Sequence, residues 1–165
     1  MNKELKAYFS IEAKIGGAFN FFINGMIAGL IHHAAVMVST DIISLAIELL
    51  STCVLTFTIT ACFVRAGLKS TKTTAILPPA NGFVRFLARL YNASAKGIVY
   101  PLRFGVPAGF LAAVALYIIT APLFTFLKIS ALPFYAFVLG KSFFCMLFGA
   151  GVTVLEMYVG MCKTE

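Results

Sequence analysis

Four stretches of this chain, residues 15–38, 42–64, 102–127 and 133–160, are almost wholly apolar. Each matches or exceeds the roughly 20 residues an α-helix needs to cross a bilayer. Lipid offers the backbone no hydrogen-bond partners, so such segments cross as helices, which satisfy their own N–H and C=O groups. The fold class that follows is an all-α membrane protein with four transmembrane helices in a single domain over residues 1–165. Composition points the same way: 61% of the residues are hydrophobic, against roughly 45–50% in soluble domains. The first fifteen residues are too charged for the apolar core of a cleavable signal peptide, so the first span reads as a retained signal anchor.

Charge gives the orientation. Lys3, Lys6 and Lys14 precede the first span, and Lys163 follows the last. The central connection, residues 65–101, is rich in Lys and Arg and holds no acidic residue. The other two connections carry only Asp41 and Lys128. Basic residues mark cytoplasmic loops, so both termini and the central connection are expected in the cytoplasm, in a membrane of the bacterial inner (plasma) type. Juxtamembrane Lys and Arg have a sufficient partner in anionic headgroups, and no nucleic-acid partner is inferred. Cys53, Cys62, Cys145 and Cys162 form no CxxC pair; in a reducing compartment they read as free thiols that pack.

Within the central connection, Asn81 is placed to cap a helix. Phe83, Phe86, Leu87, Leu90 and Tyr91 then recur at helical spacing. Arg85, Arg89 and Lys96 accompany that stripe, and a basic amphipathic helix of this kind lies in the headgroup plane. Leu5, Tyr8 and Phe9 give the N-terminal stretch a similar face. Leu5 aligns with Leu87, Phe9 with Tyr91, Lys14 with Lys96 and Phe22 with Phe104, and after a longer second outer turn Ser51 aligns with Ser142. The pattern suggests a parallel repeat: two halves, residues 1–64 and 102–165 with its preceding connection, each an interfacial helix followed by an in–out–in hairpin.

Ionisable residues inside hydrocarbon are the main functional clue, since each costs at least about 2.5–3.5 kcal/mol on insertion scales. His32 and His33 sit in the first span, Glu48 in the second and Lys141 in the fourth. Counting about 1.5 Å of rise per residue from the outer turns puts them, with Thr120 and the slightly deeper Tyr117, about 10–12 Å inward. Glu48 facing Lys141 is the central expected contact. Ser44, Glu48, Thr52, Thr56 and Thr60 recur at i+4 and form a polar stripe down the second span. Adjacent histidines point about 100° apart on a helix, so His32 and His33 do not readily share one ion. A soft-metal set of His33, Met37, Met157, Met161 and Cys162 fails on depth, and no metal or other cofactor is expected. Glu156, near the inner end, reads as an interfacial anchor with Arg65 or Arg103 in reach.

No P-loop, G-x-S-x-G or H-E-x-x-H motif occurs, so the chain is not read as an enzyme; a lipid-active enzyme would rest on His and Glu at one depth alone. The leading reading is a small multi-pass transport or channel protein, or a subunit of one. Glu48, Lys141, His32 and His33 would bind a cation, proton or small polar substrate, with Ser44, Thr52, Thr56, Tyr117 and Thr120 lining the route. Four spans enclose little volume, so a homo-oligomer or a membrane-protein partner is expected. The alternative is a scaffold subunit whose buried charges fix helix packing and whose basic loop binds lipid or a partner. Small-residue faces such as Gly25/Gly29 and Gly105/Gly109 read as ordinary helix packing under either.

Overall fold

The computed structural model describes residues 3–70, 77–78, 81–94 and 100–162. Its elements, in chain order, are α1 (Lys3–Ile31), β1 (Met37–Ser39), α2 (Ile42–Ser70), α3 (Gly82–Ser94), α4 (Tyr100–Phe126), β2 (Ala131–Pro133) and α5 (Phe134–Met161). Of these, α1, α2, α4 and α5 are long and apolar enough to cross a membrane. Large apolar side chains such as Phe22, Ile118 and Leu147 face outward, while Asn20, Asn24, Thr56, Thr60 and Glu156 are buried. That inversion suits a solvent of lipid, where polar groups gain by turning inward.

The first helix differs from expectation at both ends. It runs unbroken from Lys3, so the N-terminal stretch continues into the span instead of forming a helix of its own, and it stops at Ile31. Beyond it the chain turns, and Met37–Ser39 pairs antiparallel with Ala131–Pro133. The fold is therefore not purely helical. Two short strands give the chain reversals at this end a backbone partner: Thr40 N–H donates to Ser130 O at 2.9 Å and Phe134 N–H to Val36 O at 3.1 Å.

The membrane-length helices adjacent in sequence are not the ones that pack most closely. The extensive interfaces are α1 with α5 and α2 with α4, and α2 also meets α5, while the α1 and α2 backbones stay farther apart and meet through side chains such as Phe19 and Phe63. Neither half is thus a closed hairpin. Glycines make the close approaches possible: a methyl group added at Gly109 would lie 2.6 Å from Val54 Cα, and one at Gly149 would lie 2.6 Å from Asn20 Nδ2. Pro107 and Pro122 both sit inside α4, which nonetheless continues to Phe126.

Two apolar clusters occupy the end of the bundle opposite the strands. In one, Leu87, Ala88 and Tyr91 of α3 pack with Phe57 and Ala61 of α2, Phe104 of α4, and Val152 and Val159 of α5. The other joins Phe9, Val64, Met157 and Met161. The α3 helix starts as its sequence suggests, with Asn81 Oδ1 accepting the Val84 N–H at 2.9 Å. Arg85, Phe86 and Arg89 remain on its exposed side, whereas Lys96 lies outside the described residues.

At the strand end, Asp41 caps α2 by accepting the Ile43 and Ser44 N–H groups, each at 2.9 Å. Hydrogen bonds from the side chains of Ser39 and Ser44, along with those amides, hold its carboxyl at about 2, below an ordinary 3.8. A lowered carboxyl stabilises the folded state above its unfolded value, and that contribution is lost as pH falls through the folded value. Amide exchange at Ile43 and Ser44 is therefore expected to quicken between about pH 4 and pH 2 beyond the intrinsic trend. Asp41→Asn should keep the cap and remove this extra pH dependence.

Candidate functional site

The strand pair sets α2 and α5 at a common height. Glu48 lies eight residues beyond Thr40, and Lys141 seven beyond Phe134, so two residues anchored by the same ladder meet where the parallel helices α2 and α5 touch. Lys141 Nζ donates to Glu48 Oε2. The other carboxylate oxygen, Oε1, lies 2.8 Å from His32 Nε2, an arrangement in which the neutral imidazole carries its proton on Nε2. One carboxylate thus joins three elements: the turn after α1, α2 and α5. Phe137 forms an apolar wall, with the His32 ring edge-on at 5.1 Å and Lys141 Nζ 5.8 Å from the ring centre. The side chains of His32, Glu48 and Lys141 are 22%, 18% and 11% exposed, so the group is partly shielded but not sealed.

A cavity of about 260 Å³ opens beside this cluster; its lining is mostly apolar, with Leu49, Phe124, Leu132 and Phe144, and its polar members are Glu48, Lys141, Thr52, Thr120 and Thr40. A larger recess of about 610 Å³ near Asp41 and Lys128 shares Thr40, Leu45 and Phe124 with it. The two cavities therefore adjoin between the loop surface and Glu48.

The remaining expected residues divide. Thr52 lines the cavity and Thr56 lies deeper, fully buried, with no hydrogen-bond partner for its hydroxyl among the described residues. Ser44 does not join them: its hydroxyl is turned to Asp41 Oδ2 at 3.0 Å, as part of the helix start. His33 is likewise apart: its Nδ1 sits 2.8 Å from Leu30 O, near the end of α1. Tyr117 is half-buried on α4 and is not among the residues lining the cavity. Glu156 is the clearest correction, for its side chain is enclosed by protein and reaches neither Arg65 nor Arg103 by a hydrogen bond.

Two buried asparagines extend the polar interior beyond the expected set. Asn20 Nδ2 donates to Gly16 O at 2.9 Å and approaches Thr60 Oγ1 at 3.4 Å, and Asn24 Nδ2 lies 3.3 Å from Asn20 Oδ1. Their signal was present in the sequence: two amides four residues apart, in register with Gly16 and Ala28 along an apolar helix. Cys53, Cys62, Cys145 and Cys162 are free thiols. No protein-family model matches the chain, and neither the curated proteins nor the solved structures compared with it include a match.

Proposed function

We propose that the protein is a small multi-pass transport or channel protein, or a subunit of one, with Glu48, Lys141 and His32 as the residues that handle a cation, proton or small polar substrate. The observation that carries this reading is the cavity at Glu48. A carboxylate held by an ammonium and an imidazole, yet bordering open space lined by Thr52 and Thr120, can exchange one of those partners for an incoming cation or proton. Release of Lys141 would be the switch, since its ammonium is an internal competitor for the same carboxylate. The orientation is the one that the basic residues favour: strands and recess outside, termini and α3 on the cytoplasmic side. There Arg85 and Arg89 meet anionic headgroups while Phe83 and Phe86 dip into lipid.

Exchange of helix partners between the halves, α1 on α5 and α2 on α4, supports the parallel repeat. A pseudo-two-fold axis along the membrane normal would interchange those two interfaces and place the α2–α5 contact on itself. The axis would also run through the strand pair.

The scaffold reading is favoured by one observation, that the same ion cluster ties three elements together. Proteoliposomes separate the two. Under the transport reading, vesicles with the wild-type chain dissipate an imposed proton, sodium or potassium gradient faster than empty vesicles, and Glu48→Gln combined with Lys141→Met removes that flux while the protein still folds. Wild-type vesicles no leakier than empty ones for all three ions, with the double variant equally well assembled, would favour the scaffold instead.

A further inference from the structure

We propose that Glu156 is a second ion-handling residue, a carboxyl group that holds a proton inside the bundle and exchanges it with solvent at the end carrying the chain termini. The purpose of such a group rests on the transport reading, but its chemistry rests on separate observations. The Glu156 side chain has no exposed surface, and neither carboxyl oxygen has a hydrogen-bond partner among the described residues. Its neighbours along α5 belong to apolar clusters on both sides, Val152 and Val159 to one and Met157 and Met161 to the other. A carboxylate anion enclosed in this way would have lost its hydration and gained nothing in return, whereas the neutral acid buries only a hydroxyl and a carbonyl. A purely structural acid should also bond to something. Asn20, Asn24, Ser142 and Thr153, buried in the same bundle, all do; the Thr56 hydroxyl does not, but a lone hydroxyl costs far less to bury than a carboxylate.

The ionisable groups near this end of the surrounding elements are Lys3, Glu4, Lys6, Tyr8, Glu12 and Lys14 on α1, Cys62 and Arg65 on α2, Arg85, Arg89 and Tyr91 on α3, and Arg103 on α4. None hydrogen-bonds to Glu156, so none takes the place of the proton. Glu156 lies five residues before the end of α5, about 8 Å from that terminus, and fifteen residues beyond Lys141, about 22 Å along the helix. Thr153, Asn20, Thr60 and Thr56 occupy the buried interior between these levels. One polar seam therefore has an acid near each end: Glu48 open toward the strand side, and Glu156 close to the opposite face. On release the O–H proton passes to water, its electron pair stays on the carboxylate oxygen, and rebinding reverses the step.

Infrared spectroscopy of the full chain in phosphatidylethanolamine/phosphatidylglycerol nanodiscs, with ¹³C-labelled glutamate, tests this without any flux measurement. At pH 7 the wild type should show a carboxylic-acid C=O band that carries the isotope shift and moves again in D₂O as the proton exchanges. The band should be absent from Glu156→Gln and retained in Glu48→Gln. Should Glu156→Gln fail to fold, Glu156→Asp in the same labelled medium should move the band to its unlabelled position. A wild type without the band, a band that survives both replacements of Glu156, or one that never responds to D₂O overturns the proposal. Absence of ion flux with the band intact would count against the transport reading alone.

Discussion

Replacing Lys141 with Met is expected to destabilise the folded protein by about 3 kcal/mol, because it leaves a shielded Glu48 carboxylate with His32 as its remaining partner. Removing both charges should cost much less than the two single losses together. The Glu48→Gln/Lys141→Met cycle should give a coupling energy of roughly 2 kcal/mol, in the range found for directly contacting charged groups. Reversible unfolding in mixed micelles, read by circular dichroism, measures all four corners. Shielding by lipid as well as protein makes the coupling larger than for a surface pair, which is worth about 0–1 kcal/mol. Additive losses would mean that the two side chains do not share a contact in the membrane.

The second large effect lies at the helix crossings. A methyl group at Gly109 meets the α2 backbone, at Val54 Cα and N and at Cys53 C, all within 2.9 Å. Backbone cannot swing aside as a flexible side chain can, so Gly109→Leu must push α4 away from α2. Overpacking of this kind costs about 1–3 kcal/mol and at times more. The expected result is a drop in unfolding midpoint at least as large as that for Lys141→Met, together with new solvent or lipid access at Cys53. Gly29, where an added methyl meets nothing within 4 Å, should accept Ala with little change. Both positions belong to small-residue faces in the sequence, and only the structure tells the contact from the spacer.

Much of the architecture was legible because the bilayer leaves few choices. Four apolar runs had to become helices, and Asn81 with the Phe83–Tyr91 periodicity located the start of α3. Depth counting put Glu48 and Lys141 on one level, since α2 and α5 start from neighbouring turns. What could not be read was pairing across the chain. Nothing local tells residues 37–39 to leave the first span and pair with residues 131–133, yet that ladder takes up the last part of the expected first span and fixes the heights of α2 and α5. Partner choice was equally hidden, as adjacent helices suggest hairpins while the glycine contacts join α1 to α5 and α4 to α2. Ser44 was placed on the polar stripe by its spacing, but its first-turn position gave it to Asp41. Glu156 was assigned to the headgroups by counting from the chain end; its burial depends on packing against α2 and α1, which counting does not reveal.

The end beside α3 holds the two apolar clusters and an apolar recess of about 480 Å³ bordered by Phe57, Leu87 and Phe148, while the strand end holds the ion cluster and two adjoining cavities. If Glu48 handles a cation or proton as proposed, water and small solutes must reach it from the strand side. Single cysteines at Thr120, Thr52 and Thr56, in a chain whose four native cysteines are replaced, test it with a membrane-impermeant cationic thiol reagent applied from outside oriented vesicles. Modification is expected at Thr120→Cys and Thr52→Cys, slowed when protons or cations compete for the cavity, and none at Thr56→Cys. A folded protein in which neither Thr120→Cys nor Thr52→Cys reacts would contradict it.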